Sequence, residues 1–191
     1  MRKLKLQVQM TIDGFVAGPN GELDWMIFGP DEEGSVVVNE WTDLSDTILL
    51  GRKMIDGFMN YWESVAENPE SPEFSFAEKM VNYQKFVFSK TLEESIWTNT
   101  TLVKGELVEA VNEIKNREGK DILVYGGANF VSNLIGENLI DEYNLVINPA
   151  AIGKGLTIFN NLENTLRLQL KKSQAFNNGK VANTYVPQQT V

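Results

Sequence analysis

Leu4, Leu6, Val8 and Met10 alternate with polar residues, a period of two that predicts a half-buried strand. It runs on through Thr11-Ile12-Asp13-Gly14-Phe15-Val16-Ala17 to a turn at Gly18-Pro19-Asn20-Gly21. The spacing of Val37, Val38 and Trp41 predicts a helix over 31–44, opened by the acids Asp31, Glu32 and Glu33, as a helix N-terminus prefers. Thr47 to Leu50 is continuously apolar and ends at Gly51, the pattern of a strand covered on both faces. Met54, Ile55, Phe58, Met59 and Trp62 predict a helix over 52–62, and a short one follows near 73–82. Strands are expected at Lys85–Ser89, Thr100–Val103, Asp121–Tyr125 and Tyr143–Ile147. Helices are expected over 106–117 and from Asn129 to Leu134. Alternation around Asn177-Asn178-Gly179 predicts a closing hairpin. Strands and helices alternate to about residue 150 before the antiparallel end. The expected fold is therefore α/β, with a mostly parallel sheet and an antiparallel edge. No repeat or linker divides residues 1–191, so one domain is expected.

Composition removes several chemistries. The chain has 17 basic and 26 acidic residues, a net charge of −9, which argues against a nucleic-acid partner. It has no cysteine and no histidine. Disulfides, thiol nucleophiles, imidazole proton shuttles and Cys- or His-ligated metals are thereby excluded, and no metal site is expected. No run of about 18 apolar residues suggests a membrane span. No apolar signal core follows the basic N-terminus, because Gln7, Gln9 and Asp13 interrupt; a cytoplasmic protein is expected.

Three strand ends carry candidate chemistry. At Leu50-Gly51-Arg52-Lys53 a helix starts with two cations, which the helix dipole disfavours by a few tenths of a kcal/mol and a bound phosphate would favour. Phe88-Ser89-Lys90-Thr91 ends a strand in hydroxyls and a cation. Tyr125-Gly126-Gly127-Ala128-Asn129 places two glycines where a backbone can approach a pyrophosphate. Each has a plainer reading as a turn or cap. In an open α/β sheet, however, ligands bind outside the carboxyl ends of the strands, where all three fall. A dinucleotide would meet Arg52, Lys53 and Lys90 on one side and the double glycine on the other. The cations favour a 2′-phosphate, and so NADPH as the cofactor. The loop from Asp13 to Trp25 suits a cover over a nicotinamide ring. Its neighbouring carboxylates Asp13, Asp24, Asp31, Glu32 and Glu33 are candidate proton donors, with Asp13 and Glu32 chosen as the catalytic candidates. Trp25, Phe58 and Tyr125 are candidates for holding a ring-shaped substrate.

These segments, with Leu139-Ile140-Asp141-Glu142-Tyr143 and Pro149-Ala150-Ala151-Ile152-Gly153-Lys154-Gly155, resemble in order the dihydrofolate-reductase-like superfamily. The resemblance is nearest to the reductase domain of the bacterial riboflavin-biosynthesis deaminase/reductase (RibD C-terminal type). It implies a three-layer fold with an eight-stranded, mainly parallel mixed sheet, helices on both faces, a homodimer and NADPH as cofactor. It also implies that Gly51, Arg52, Lys53 and Met54 lie near the cofactor phosphates and that Ser89, Lys90 and Thr91 lie beside the 2′-phosphate. Gly126, Gly127, Ala128 and Asn129 would form the pyrophosphate turn, and Ala17 and Gly18 would flank the nicotinamide. Asp141 and Glu142 are implied to be structural or at a dimer contact. The pterin-binding acid of true dihydrofolate reductases falls near Gly34-Ser35-Val36, where the nearest acids are Glu32 and Glu33. The expected activity is hydride transfer from NADPH to a small heterocycle, with 5-amino-6-(5-phosphoribosylamino)uracil named first. Dihydrofolate reduction and a non-catalytic NADP-binding or regulatory module are the alternatives.

Overall fold

The structure is a computed structural model that describes residues 1–27 and 32–188. Thirteen elements follow in order: β1 (Leu4–Thr11), α1 (Glu32–Asp43), β2 (Ser45–Gly51), α2 (Arg52–Ala66), α3 (Phe74–Asn82), β3 (Gln84–Phe88), β4 (Thr100–Val103), α4 (Leu107–Asn116), β5 (Asp121–Gly126), α5 (Ala128–Gly136), β6 (Glu142–Asn148), β7 (Leu168–Ala175) and β8 (Val181–Pro187). Asp31, expected to open the first helix, lies outside the described residues.

All eight strands join one sheet in the order β4-β3-β2-β5-β1-β6-β8-β7. The pairings among β1 to β6 are parallel, whereas β6–β8 and β7–β8 are antiparallel. The closing hairpin turns at Asn177-Asn178-Gly179, with Gly179 at φ 86°.

Alternate strand residues sort into two layers. Leu6, Leu49, Phe86, Val124 and Tyr143 pack against Val111 and Ile114 of α4 and Val131 and Leu134 of α5. On the other face Ile48, Leu50, Val87 and Leu123 pack against Ile55, Phe58 and Met59 of α2 and Met80 of α3. There α1 sets Val37 and Trp41 on Val146 and Ala182. Ile48, Leu49 and Leu50 are fully buried, each stabilising the fold by about 1.5–3 kcal/mol relative to an exposed side chain. This is why the sequence runs through Thr47–Leu50 without a polar break.

The expectation of a half-buried first strand is corrected. β1 lies between β5 and β6, and its polar residues Lys5 and Gln7 are each 5% exposed. Helices cover both faces of a parallel sheet, so the polar positions meet protein rather than water. Lys5 Nζ lies 2.8 Å from Asp121 and 3.8 Å from Glu142. At the next pleats along the same face, Gln9 Oε1 accepts a 3.0 Å hydrogen bond from Asn148 Nδ2.

The amino ends of the strands are held by buried cations. Arg2 bonds Asp46, Thr47 and the Lys120 carbonyl. Lys115 pairs with Asp141 at 2.6 Å, and Asp141 also accepts from the Leu4 N–H at 2.7 Å. Asp141 therefore ties α4 to the start of β1.

Candidate functional site

The site begins with a change of direction in the chain. From β1 the chain crosses over β5 through α1 to reach β2; from β5 it crosses over β1 through α5 to reach β6. The two helices lie on opposite faces, so the adjacent strands β1 and β5 part at their carboxyl ends. Pairing of β1 with β5 stops at Leu6–Val124, while pairing with β6 continues to Thr11–Asn148. Such a switch point opens a crevice where ligands bind in α/β sheets.

One wall of the crevice is built from glycine. Gly51 ends β2, and a Cβ there would stand 2.9 Å from Phe130 Cβ and 3.6 Å from the Gly126 carbonyl oxygen. Gly126 and Gly127 have φ of 153° and 77°, conformations that L side chains rarely adopt. A Cβ on Gly126 would stand 2.9 Å from Met54 Sδ. The turn of β5 thus rests directly on the turn of β2. From these glycines α2 and α5 start, and neither has a side-chain cap. Two sets of first-turn N–H groups therefore face the same strand ends, a favourable setting for an anion.

The cations sit around this wall. Arg52 is half-buried and pairs with Asp56 at 3.1 Å, and Lys53 is exposed. Ala128 is half-buried and Asn129 exposed in the first turn of α5. After β3, Ser89 is buried and its Oγ accepts from the N–H groups of Thr91 at 3.2 Å and Leu92 at 3.0 Å, so its own proton is what it can still offer. Lys90 and Thr91 are exposed beside it. Glycine turns, uncapped helix starts and cations fit the phosphates of a dinucleotide.

The other wall is the segment after β1. The Val16 N–H donates to the Leu156 carbonyl and the Leu156 N–H to the Ala17 carbonyl, both at 2.8 Å. Asp13 Oδ2 accepts from the backbone N–H groups of Ile152 at 3.1 Å and Gly153 at 2.7 Å. A hydrogen bond from Thr11 and these amides hold the Asp13 carboxyl below the usual carboxylate range. Asp13 is consequently an ionised clamp between two loops, and the geometry does not suit it to deliver a proton. The clamp also fixes the base of the loop, leaving Ala17 and Gly18 buried at the crevice. Ile27 N–H docks on Asn148 Oδ1 at 3.2 Å, which brings the Trp25 segment over the end of β6. Glu32 is exposed in the first turn of α1, and Glu33 accepts from Asn177. No carboxylate among the described residues is buried, and none belongs to a metal-binding cluster.

Beneath the crevice the sequence candidates Phe58 and Tyr125 come together, with ring centroids 5.9 Å apart. Burial pushes the Tyr125 hydroxyl well above its ordinary pKa, so it stays protonated. Its oxygen lies 3.4 Å from Thr42 Oγ1. Gln7 Oε1 and Trp25 Nε1 are both buried without a hydrogen-bond partner. An unmet buried polar atom costs about 1–3 kcal/mol, which makes each worth explaining. Gln7 and Thr42 were not singled out from the sequence. The available signal was glutamine at a polar position of a strand whose faces are both covered.

Two cavities lie elsewhere. A groove of about 600 Å³ at the amino ends of β1 and β5 is lined by Arg2, Arg117, Lys120 and Asp121, and one of about 310 Å³ lies beside β4 and α4.

Residues 2–182 match the family described as the RibD C-terminal domain. The chain is 34% identical over 185 residues to the uncharacterised protein YyaP of Bacillus subtilis, covering 96% of this chain and 94% of that one. It is 26% identical to the uncharacterised YwjB of the same organism, with 92% of each covered. Among solved structures, a putative riboflavin biosynthesis protein from Shewanella is 25% identical, with a TM-score of 0.73 and coverage of 99% and 100%. An Enterococcus faecalis dihydrofolate reductase complexed with NADP(H) is 14% identical, with a TM-score of 0.62 and coverage of 98% and 97%; it has the same fold.

Proposed function

The chain belongs to the RibD C-terminal domain family, and from that premise we propose that it is an NADPH-dependent reductase of a small heterocycle. The observation that carries the reading is the β1–β5 crevice, walled by two glycine-started helices and by cations. In the proposed complex Gly51, Gly126, Gly127, Ala128 and Asn129 hold the pyrophosphate, and Arg52, Lys53 and Met54 lie along the phosphates. Ser89, Lys90 and Thr91 take the 2′-phosphate. Ala17 and Gly18 flank the nicotinamide, which supplies the hydride when bound. The chain's own part is to orient the ring and exclude water. Phe58, Tyr125 and Trp25 bound the substrate side. With Asp13 ionised and Glu32 exposed, the proton is assigned to solvent rather than to either carboxylate.

The substrate named first is a pyrimidine of the riboflavin pathway. A deaminase/5-amino-6-(5-phosphoribosylamino)uracil reductase from Thermotoga maritima shares the fold at 16% identity and a TM-score of 0.69, with this chain spanning 57% of it. A module that binds NADP without turnover is the second reading, favoured by the lack of a buried acid among the described residues. Oxidation of NADPH in the presence of candidate pyrimidines separates the two. No helix among the described residues is long and apolar enough to cross a membrane, and the proposed setting is the cytoplasm.

A thermal shift tests the cofactor. At 100 times its Kd, NADPH is expected to stabilise the protein by about 2.7 kcal/mol, or roughly 5–10 °C, and NADH far less. Arg52→Ala is expected to weaken NADPH about 10- to 100-fold, the loss of one charge-assisted hydrogen bond. Equal stabilisation by both nicotinamides would reject the 2′-phosphate assignment, and no response would reject the reductase reading. The proposed assembly is a homodimer, since β7 is a free sheet edge with Leu170 51% exposed. Sedimentation at micromolar concentration is expected to exceed the 21.5 kDa of one chain, and a single species at that mass would exclude the dimer.

A further inference from the structure

Two hydroxyl groups under the crevice fix the direction of the proton they share. Thr42 Oγ1 donates to the Val38 carbonyl at 2.8 Å, inside α1. Its single proton is thereby spent, so between Thr42 and Tyr125, 3.4 Å apart, the tyrosine is the donor. The Tyr125 oxygen is then left as an acceptor near the Gln7 side chain. Gln7 Oε1 is buried and has no hydrogen-bond partner. Gln7 itself is 5% exposed. It stands one residue beyond Leu6, the last residue of β1 paired with β5, and so at the floor of the crevice. The nearest charge on the same face of β1, Lys5, is engaged by Asp121 and Glu142. The floor thus presents a neutral acceptor.

We propose that Gln7 is the specificity-determining residue of the substrate side. Its Oε1 accepts a hydrogen bond from a ring N–H of a neutral lactam heterocycle, and Tyr125 and Thr42 hold it in that orientation. Tyr125 and Thr42 are positioning residues. This rests on the reductase reading and adds to it the chemical class that the crevice selects.

The test uses the full chain with saturating NADPH and two probes, 5,6-diaminouracil and 5,6-diamino-1,3-dimethyluracil. They differ in the ring N–H groups. Calorimetry is expected to give at least tenfold tighter binding of the N–H compound to the wild type. Gln7→Met is expected to bring the two within about twofold while leaving the NADPH Kd unchanged. Without probes its melting temperature is expected to equal or exceed that of the wild type, since an unpaired buried acceptor is removed; a merely structural glutamine would lower it. Tyr125→Phe is the second variant. It keeps Oε1 but frees the amide to turn, so discrimination falls without loss of the acceptor. Failure of NADPH to bind the wild type sinks the reductase reading itself. If NADPH binds but the wild type takes both uracils equally or takes neither, the Gln7 assignment falls alone. It falls too if Gln7→Met keeps the preference.

Discussion

Gly127→Val is expected to abolish NADPH binding and to lower the melting temperature by roughly 5–10 °C. The cause lies in the backbone rather than in crowding. Gly127 has φ 77°, and a Cβ there would meet only ordinary contacts, Gly51 Cα at 3.6 Å and Phe130 Cβ at 3.6 Å. A left-handed conformation costs an L residue about 1–2 kcal/mol, and a β-branched one more. The side chain would also stand on the turn from which α5 presents its first N–H groups. The variant therefore loses stability through strain and affinity through the blocked approach. Melting curves with and without NADPH read both effects. A variant that NADPH still stabilises as it does the wild type would show that the pyrophosphate does not use this turn.

The second large effect is expected at Lys85, far from the cofactor. Its side chain is fully buried, and Nζ donates to the carbonyls of Met80 at 3.1 Å, Val81 at 2.7 Å and Tyr83 at 2.7 Å. It closes the C-terminal end of α3, where unpaired carbonyls accumulate and a cation is favoured. Burial nonetheless lowers its pKa to about 8, with Glu63 opposing the shift. Between about pH 8 and the unfolded value of 10.5 the unfolded chain holds the proton that the folded chain has released. Stability contributed at this site therefore rises with pH across that window, by at most about 3 kcal/mol at roughly 1.36 kcal/mol per pH unit. The tyrosines act oppositely. Burial and Glu73 raise Tyr61 to about 12, and burial raises Tyr83, so both lose stabilisation only above the ordinary tyrosine pKa of about 10. Denaturant unfolding from pH 7.5 to 10 is expected to show wild type gaining on Lys85→Met. Lys85→Met is expected to be the less stable throughout by about 2–4 kcal/mol, because it strands the carbonyls. Parallel pH curves for the two proteins would reject a titrating Lys85.

Which features the sequence disclosed follows from the range of the forces behind them. The helices over α2 and α4 were legible because each needs one apolar stripe, which the period of 3.6 records locally. β2 was legible from Thr47 to Leu50 because a strand covered on both faces has no polar position to show. The β7–β8 hairpin was legible from Asn178-Gly179 because its turn requires a positive φ. The glycine wall was legible because Gly126 and Gly127 take positive φ and a Cβ on Gly51 would stand 2.9 Å from Phe130 Cβ.

β1 misled because alternation of apolar and polar residues reads alike whether the polar side meets water or a second helical layer. Lys5, Lys85 and Lys115 are each buried, which nothing in their local sequence marks. Asp121 and Asp141 are brought to Lys5 and Lys115 by strand order and helix packing, whereas Lys85 closes on the carbonyls of the helix just before it. Asp13 looked like an acid near a ring. Only the return of the chain at Ile152 and Gly153 made it a loop clamp and fixed its charge. Gln7 gained meaning only when β5 was placed beside β1 and α1 across from Tyr125. The sequence by itself determined the order of elements, the sheet's mainly parallel character and the strand ends that carry glycine and cations, because those rest on interactions a few residues apart. The tertiary structure decided which polar groups are paired, which carboxylate stays ionised and which acceptor is left over. Hydrogen bonding and burial at those sites join residues far apart in the chain, as Asp13 with Ile152, 139 positions on, shows.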